Sequence, residues 1–296
     1  MPQVLLIDAY SQIFRLFYAI RNLTNAKGEP TNALFGMARL FLQLEDEFPC
    51  DYGAMVFDHG KCVRRTALLP AYKAQRPPMP EELRAQVPKI RLWAQAFGWS
   101  VVEREGFEAD DLLAGIAGER HGETVRILTG DKDLGQLVKD GEVLLLKPGN
   151  SKTPWEEIGE AKVQEKFGVT PSQLKDYLAL VGDTADNIPG IPGCGPKTAA
   201  RLLQQFGSLE GLVARLGELP AGKIKDTLKE HQEHLKQNQE LVRLDTPLPD
   251  GWKDMSSIRK NHPDWNALAD LCQQEGFKAI LSEIQKRKAP QQLMLF

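Results

Sequence analysis

The sequence has few cysteines and histidines, and it lacks any long hydrophobic run. Its 4 cysteines are far apart and form no Cys-x-x-Cys pair, which argues against a disulfide framework or a zinc site and favours a reducing cytoplasm. Among the 5 histidines, only His231 and His234 lie close together, on a polar helical segment where a solvated face is expected. No apolar stretch approaches the length of a membrane span, and the N-terminus lacks the basic region of a signal peptide, so we expect no membrane partner.

Neither sign of charge dominates, because 37 lysines and arginines face 40 aspartates and glutamates, for a net charge of −3. This average argues weakly against a nucleic-acid binder, but the charge is unevenly distributed. Residues 61–91 hold eight basic side chains against two acidic ones, a local charge of about +6 that would attract phosphate backbones. The basic residues are Lys61, Arg64, Arg65, Lys73, Arg76, Arg84, Lys89 and Arg91.

The first 150 residues alternate between apolar, β-rich runs and segments with helical periodicity. This alternation predicts an α/β fold with a mainly parallel central sheet that is flanked by helices. After about residue 155 the strand signal ends, and we expect helices around a glycine- and proline-rich turn at 188–198. The predicted strands are 3–8, 53–58, 99–104, 124–131 and 142–148.

Acidic residues stand at the ends of these predicted strands or shortly after them. Because the carboxyl ends of parallel strands share one edge of a sheet, where ligands bind, we expect carboxylates from four segments to meet there. A further acidic pair lies in the segment VGDTADN, at the start of the Gly/Pro turn. The acids at the strand ends are Asp8, Asp58, Glu108, Asp110, Asp111, Asp131 and Asp133, and the further pair is Asp183 and Asp186.

Two interpretations of these acids compete. Each acid alone is more simply a helix cap or a solvated loop residue, and the three in FEADDLLA (107–114) precede a helix, whose N-terminus favours negative charge. As a set, however, the acids would repel one another unless cations hold them. Oxygen ligands without histidine or cysteine favour Mg²⁺ or Mn²⁺, and pairs of such ions serve phosphoryl transfer. The full set therefore predicts a site for two or more ions of Mg²⁺ or Mn²⁺.

Several long motifs together resemble the bacterial flap endonuclease family, which includes the 5′-nuclease domain at the N-terminus of DNA polymerase I. The resemblance extends to about residue 285 and implies a PIN-like 5′-nuclease fold with a C-terminal helix-hairpin-helix (helix-three-turn-helix) region. It implies a nuclease core at 1–175 with a helical arch at about 60–91 and a helical DNA-binding region at 176–288. The last residues, 289–296, follow the basic segment QKRK and are expected to form a flexible tail. The motifs are LLIDAYSQIFRLFYA, MVFD, YKAQRPPMP, EGFEADDLLA, TGDKDLGQLV and VGDTADNIPGIPGCGPKTAARLL.

The resemblance also implies an activity. A Mg²⁺-dependent flap endonuclease and 5′-3′ exonuclease would hydrolyse DNA near a 5′ flap, nick or overhang, RNA-primed ends included, by a two-metal mechanism. Its context would be Okazaki-fragment maturation, replication and repair, and the protein would be a cytoplasmic, nucleoid-associated monomer. All nine acids would serve the metal ions, with Asp131 between the two positions.

The resemblance assigns roles to basic and aromatic residues as well. Tyr72 would stack on a base beside the scissile phosphate, and Lys73 and Arg76 would stabilise its developing charge. Arg15 and Arg65 would contact phosphate. The sequence departs from the family at two positions. Arg64 replaces an aromatic residue that is common there, and this change would alter how the arch becomes ordered. Ala9 replaces the usual glycine.

The Gly/Pro turn has the composition of a loop between two helices. Its backbone N–H groups and the N-terminus of the following helix would seat a phosphate, whereas a plain helix–helix turn is the alternative. The resemblance implies duplex contact at this turn, independent of base sequence, and a K⁺ ion held by loop carbonyls. The expected contact residues are Gly193, Gly195, Lys197 and Thr198.

The C-terminal segment QLMLF resembles the short peptide by which bacterial repair proteins bind the sliding clamp, with a frayed apolar end as the alternative. Its matching residues are Gln292, Leu293, Leu295 and Phe296. Since no polymerase sequence follows, we expect a stand-alone nuclease. Two other functions compete, a DNA-junction binder without catalysis and an RNase of the small α/β type; the complete acid set disfavours the first, and the arch and turn disfavour the second.

Overall fold

The computed structural model describes residues 2–149 and 153–293 of the chain, with side chains described as far as residue 288. A six-stranded sheet forms its centre, in the spatial order β3-β2-β1-β4-β5-β6. All neighbouring strands are parallel except the last pair, which is antiparallel. The strands are β1 (Gln3–Asp8), β2 (Tyr52–Val56), β3 (Ser100–Val102), β4 (Thr124–Leu128), β5 (Val143–Pro148) and β6 (Trp155–Ile158).

Helices connect the strands and make up most of the second half of the chain. A two-stranded ribbon of β7 (Gly182–Asp183) and β8 (Ile188–Pro189) interrupts this helical half. The helices are α1 (Ala9–Ala19), α2 (Asn32–Glu47), α3 (Val63–Leu68), α4 (Glu81–Arg84), α5 (Val87–Ala96), α6 (Ala109–Gly118), α7 (Glu160–Phe167), α8 (Pro171–Val181), α9 (Pro196–Phe206), α10 (Leu209–Ala214), α11 (Lys223–Glu230), α12 (Gln232–Val242), α13 (Trp265–Glu275) and α14 (Lys278–Leu293). Short 3₁₀ helices span Asp133–Leu137, Leu216–Glu218 and Met255–Ile258.

Two hydrophobic cores lie on opposite faces of the sheet. Because successive side chains of a strand point to opposite faces, β1 contributes Val4 and Leu6 to one core and Leu5 and Ile7 to the other. The first core holds the apolar faces of α6, α8, α9 and α12, and the second holds those of α1, α2, α5, α13 and α14. Within the described residues no helix is long and apolar enough to cross a bilayer.

The order of the strands places a crevice at the carboxyl end of the sheet. From β1 the chain moves outward to β2 and β3, and then returns to place β4 on the other side of β1. Loops that leave β1 and β4 therefore diverge, and ligands of open α/β sheets bind at such a switch point. The carboxyl ends of β1 and β4 are the places where the sequence has acidic residues.

The five predicted strands and the mainly parallel sheet are confirmed, but three short strands were missed, β6 and the ribbon strands β7 and β8. The strand β6 pairs antiparallel with β5 in the part of the chain that was predicted to contain only helices. Its sequence WEEI covers only four residues, and its two glutamates are exposed, so it carries no apolar alternation. The last helix also differs from the prediction, because α14 continues to Leu293, within the segment 289–296 expected to be a flexible tail.

Candidate active site

Asp8 and the loop after β4 form the centre of the crevice. Asp8 ends β1 and caps α1, since its Oδ1 accepts a hydrogen bond from the Ser11 N–H at 3.2 Å. Its Oδ2 accepts a bond from the Thr129 hydroxyl at 2.7 Å. The Ser11 hydroxyl in turn accepts a bond from the Gly130 N–H at 2.8 Å. These bonds tie the ends of β1 and β4 together and hold Asp131, one residue further on, beside Asp8.

Four of the predicted metal ligands line one cleft of about 650 Å³. Asp58, two residues after β2, accepts a hydrogen bond from the Ala109 N–H at 2.6 Å, which anchors it to the first turn of α6. The interpretation as helix caps does not explain the acids of α6, because the N-cap residue Glu108 makes no side-chain capping bond. The acids lining the cleft are Asp8, Asp58, Asp110 and Asp131.

The remaining aspartates adjoin this group through Asp131. The Oδ1 of Asp131 accepts a hydrogen bond from the Asp133 N–H at 2.8 Å, and the charges of Asp183 and Asp186 both act on Asp133. Asp183 accepts bonds from the N–H groups of Ala185 and Asp186 and pairs with the ammonium of Lys132. The ribbon of β7 and β8 therefore brings the second acidic pair to the acids at the sheet edge.

Burial and mutual repulsion raise several carboxyl pKa values at this site. Burial raises the pKa of Asp8 to about 7, with the Asp58 charge adding to the effect and the Thr129 hydrogen bond opposing it. Burial, and then the charge of Asp131, raise the pKa of Asp133 to about 7. The pKa of Asp110 is raised well above its usual range by burial and by the charges of Asp131 and Asp8. The site is short of positive charge between these acids.

The acids fit a hard divalent cation. The Oδ1 atom of Asp133 is buried and has no hydrogen-bond partner among the described residues, and the ammonium of Lys132 lies 3.9 Å away. A buried carboxylate oxygen without a donor is costly, and a cation would satisfy it. The surrounding ligand atoms are carboxylate oxygens, which suit magnesium, manganese or calcium better than zinc.

Two basic residues of the predicted arch contact acids at the rim of the site. The ammonium of Lys73 lies 2.6 Å from Glu108 and 3.6 Å from Asp186, and Arg76 lies 2.6 Å from Asp186. Lys73 has a left-handed backbone (φ 53°), and its N–H donates to the Asp186 carbonyl at 3.0 Å. Such a conformation costs a non-glycine residue about 1–2 kcal/mol, so the surrounding contacts must hold Lys73 in place.

Comparison with known proteins identifies the family. A model of the N-terminal, resolvase-like domain of 5′-3′ exonucleases matches residues 3–168, and a model of their C-terminal SAM-fold domain matches residues 169–264. The chain belongs to the 5′-3′ exonuclease family. The predicted family, fold class and nuclease character are thereby confirmed.

Two relatives illustrate the range of this 5′-3′ exonuclease family. The 5′-3′ exonuclease of Aquifex aeolicus is 35% identical over 288 residues, which cover 97% of this chain and 96% of the relative. The thermostable DNA polymerase I of Thermus thermophilus is 36% identical over 291 residues, which cover 97% of this chain but 34% of the polymerase. The chain thus spans about a third of the length of the polymerases that it matches.

Solved structures of the 5′-3′ exonuclease fold are also similar. The phage T5 5′-exonuclease with bound zinc has a TM-score of 0.65 at 22% identity, covering 96% of this chain and 97% of the other. The catalytic core of Rad2 in complex with a DNA substrate has a TM-score of 0.62 at 17% identity, covering 93% of this chain and 88% of the other. At these identities the similarity establishes the fold.

Two residues predicted for the active site, Arg65 and Asp111, are paired with each other in this structure. Arg65, predicted to contact phosphate, is 3% exposed and donates to both oxygens of Asp111, at 2.6 and 2.8 Å. Asp111, predicted as a metal ligand, is 0% exposed and also accepts a bond from the Asp245 N–H. The Arg65 guanidinium lies between Cys62, Glu108 and Asp111, so these three side chains form no separate metal site.

Tyr72 does not fit its predicted stacking role in this structure. Its side chain is buried in the first hydrophobic core, and its hydroxyl contacts both Glu108 and Asp186 at 2.9 Å. A ring enclosed in this way offers no free face to a base. The ring instead braces the two acids at the rim of the metal site.

The predicted arch and its basic patch need revision. Only α3, α4 and the start of α5 are helical within 60–91, and residues 70–76 form turns. Of the eight basic side chains, only Lys61 has no ion pair with the side chains that the structure describes. The paired ones are Arg64, Arg65, Lys73, Arg76, Arg84, Lys89 and Arg91. Pairing with acids removes most of the free positive charge that the composition suggested.

The predicted Gly/Pro turn begins with β8 and leads into α9, and β7 lies between this turn and α8. Gly193 has a left-handed backbone (φ 78°), which only glycine adopts without strain. Gly195 is the N-cap of α9, whose first turn carries Lys197 and Thr198 and has no side-chain cap. Unused N–H groups at an exposed helix start are compatible with the predicted phosphate seat, whereas the K⁺ ion stays a prediction.

Two further predictions concern residues away from the acids. Arg15 is exposed on α1, where it lines a separate cleft of about 490 Å³ with residues of α2, β5 and β6, and its Nε donates to Gln12. The predicted clamp peptide remains untested. Residues 294–296, with Leu295 and Phe296, lie outside the described part, and only the backbone of Gln292 and Leu293 is described, as the end of α14.

Several contributors to the site were missed from the sequence. Lys132, Thr129 and Ser11 contact acids or the loops that carry them, and Tyr10, Phe14 and Met79 line the cleft. For five of them the only signal was a position within the motifs TGDKD and IDAYSQIF, no more than six residues from a predicted metal ligand, whereas Met79 lies in the motif YKAQRPPMP.

Proposed function

We propose that the protein is a structure-specific 5′ nuclease that hydrolyses DNA at 5′ flaps, nicks and overhangs with the help of Mg²⁺ or Mn²⁺. The observation that carries the proposal is the group of mutually repelling, half-buried aspartates at the switch point of the sheet. No other charge arrangement in the described chain has such a deficit of cations together with a buried carboxylate oxygen that accepts no hydrogen bond. Family membership supports the reaction class.

The residues that would hold the ions follow from the cleft. Asp8, Asp58, Asp110 and Asp131 line it, Asp133, Asp183 and Asp186 adjoin it, and Glu108 stands at its rim. Ions bound by such carboxylates supply a water of lowered pKa and a Lewis acid for the leaving oxygen.

The other side chains of the cleft would position the substrate. Lys73 and Arg76 place cationic donors at the opening, where they would bind the phosphate and the negative charge that develops on it. Tyr10, Phe14 and Met79 form an apolar wall in the same cleft, suited to the base or sugar next to the cleaved bond. Exposed N–H groups at the start of α9 would bind the duplex backbone, which carries no sequence information.

The decisive experiment removes the acid between the two groups of aspartates. We expect Asp131→Ala to reduce cleavage of a 5′-labelled flap in Mg²⁺ below detection, while the flap still binds in Ca²⁺. The control is Asp270→Ala, which changes an exposed acid of α13 and should cleave as the wild type does. If Asp131→Ala retains full cleavage, the metal assignment is wrong. If the wild type binds flaps but does not cleave them in Mg²⁺ or in Ca²⁺, the protein is a junction binder.

A further inference from the structure

Arg65 is a buried guanidinium with all five of its N–H groups matched to acceptors. Its Nη1 donates to Glu108 at 2.7 Å and to Asp111 at 2.6 Å, and its Nη2 donates to Asp111 at 2.8 Å. The carbonyl of Arg243 accepts the second Nη2 bond at 2.8 Å, and that of Leu241 accepts the Nε bond at 2.9 Å. An arginine has five donors in a fixed plane, so a lysine cannot reproduce this set.

The acceptors of Arg65 come from two helix ends of opposite polarity. Glu108 and Asp111 belong to the start of α6, and Leu241 and Arg243 lie at the end of α12. The end of a helix carries partial negative charge, so a cation there is favourable. The guanidinium therefore joins a rim acid of the metal site to the C-terminal end of α12.

The helix α12 also supports the Gly/Pro turn. The buried side chain of Asn238 donates to the carbonyl of Pro189, at the start of the turn, at 2.7 Å and to that of Ala179, in α8, at 3.0 Å. The helix α12 thus supports the predicted duplex-binding turn, and carbonyl groups at its C-terminal end accept hydrogen bonds from Arg65, which also contacts Glu108. A continuous set of hydrogen bonds links the two parts of the proposed site.

Three side chains contact Glu108, and Tyr72 shares the Oε2 atom with Arg65. Lys73, which lines the cleft, contacts its Oε1, whereas Arg65, which does not line the cleft, contacts its Oε2. A side chain that binds a metal ion is usually oriented by a hydrogen bond from a residue that does not itself bind the ion. We propose that Arg65 is a positioning residue, which fixes Glu108 for metal binding by anchoring it to the end of α12. The inference rests on the metal site of the proposed function.

The neighbouring Arg64 provides a matched comparison. It lies on the same helix, α3, and donates to the same carbonyl of Arg243 at 2.9 Å. Its Nε contacts Asp245 at 2.7 Å, but no hydrogen bond or ion pair joins it to an acid of the metal site in the described chain. Both arginines therefore anchor α3 to the loop after α12, and only Arg65 also holds Glu108.

The test measures binding of Mn²⁺ alone to the full chain by electron paramagnetic resonance, together with the melting temperature. We expect Arg65→Met to weaken Mn²⁺ binding about tenfold or more, which is the usual effect of losing a contact behind a ligand. Arg64→Met should lower the melting temperature but leave Mn²⁺ affinity within about twofold. Arg65→Lys should give an intermediate affinity, since it restores the charge but not the five donors.

A second variant covers the case in which Arg65→Met does not fold. Arg65→Met combined with Asp111→Asn removes both buried charges and keeps an acceptor for the Asp245 N–H, and it should fold and still bind Mn²⁺ weakly. The inference is overturned if Arg65→Met or this double variant binds Mn²⁺ as Arg64→Met does. Failure of the proposed function looks different: the wild type then binds no more Mn²⁺ than Asp131→Ala.

Discussion

At the scale of single residues, the site is defined by carboxylates that the protein alone cannot neutralise. Asp8 and Asp133 have pKa values raised to about 7, by burial first and by neighbouring charges second. At the rim the opposite holds, because Lys73 and Arg65 outweigh burial and lower the pKa of Glu108. The excess of negative charge is thus confined to the interior of the site, where an oxygen of Asp133 also accepts no hydrogen bond.

The raised pKa of Asp133 predicts a pH-dependent cost in the metal-free protein. The folded form binds its proton up to about pH 7, whereas an unfolded aspartate loses it near pH 4. The contribution of Asp133 to the free energy of unfolding is therefore greatest at low pH, and it is lost as the pH rises through this window. Asp133→Asn removes the charge, so in EDTA it should raise the free energy of unfolding by about 1–3 kcal/mol at pH 8 and much less at pH 5.

Urea unfolding at the two pH values measures this difference. The control is Glu165→Gln, which changes an exposed acid of α7 and should show the same small effect at both pH values. An equal change at pH 5 and pH 8 in Asp133→Asn would show that the aspartate carries no such charge penalty.

At the scale of elements, the helix α9 begins at an exposed N-cap residue, Gly195, that has no side chain to cap the helix. Gly195 has the extended backbone of an N-cap residue (φ −75°, ψ 178°) but no side chain to accept the free N–H groups. A Cβ at this position would have open space around it. Serine fits the geometry and is a preferred N-cap. Its absence leaves the N–H groups of α9 available to another acceptor.

This arrangement predicts opposite changes in stability and binding. Gly195→Ser should stabilise the protein by a few tenths of a kcal/mol, because its hydroxyl accepts an N–H of the first turn. The same bond would compete with a DNA phosphate, so affinity for a flap substrate in Ca²⁺ should fall. Gly195→Ala adds the Cβ without the acceptor and separates steric from hydrogen-bonding effects. Unchanged affinity in Gly195→Ser would exclude the start of α9 as the phosphate seat.

At the scale of the whole molecule, the sequence predicted the features that depend on the pattern of apolar residues and on the parallel arrangement of the strands. Buried strands have apolar runs, and parallel strands share a carboxyl edge, so Asp8, Asp58 and Asp131 were correctly placed together. The partner of Arg65 could not be predicted in this way. Its contacts with Asp111 and Leu241 lie 46 and 176 positions away along the chain, and only the packing of α12 against α3 brings them together.

The distribution of charge shows the same limit. Counting residues located a basic patch at 61–91, but in the folded protein most of its cations are paired with acids, so the patch holds little free charge. On α9, by contrast, Lys197 and Arg201 have no ion pair with the side chains that the structure describes. These unpaired cations can neutralise phosphates without first losing a partner.

The salt dependence of DNA binding tests this redistribution of charge. Each phosphate contact contributes about −0.9 to the slope of log K against log salt for duplex DNA. Lys197→Ala should therefore make the slope shallower by about 1, as measured for a flap substrate in Ca²⁺ between about 50 and 200 mM KCl. Arg84→Ala is the control, because Arg84 is exposed within the basic segment but is paired with Glu81 at 3.0 Å. If Arg84→Ala changes the slope and Lys197→Ala does not, free charge in the basic segment rather than on α9 binds the duplex.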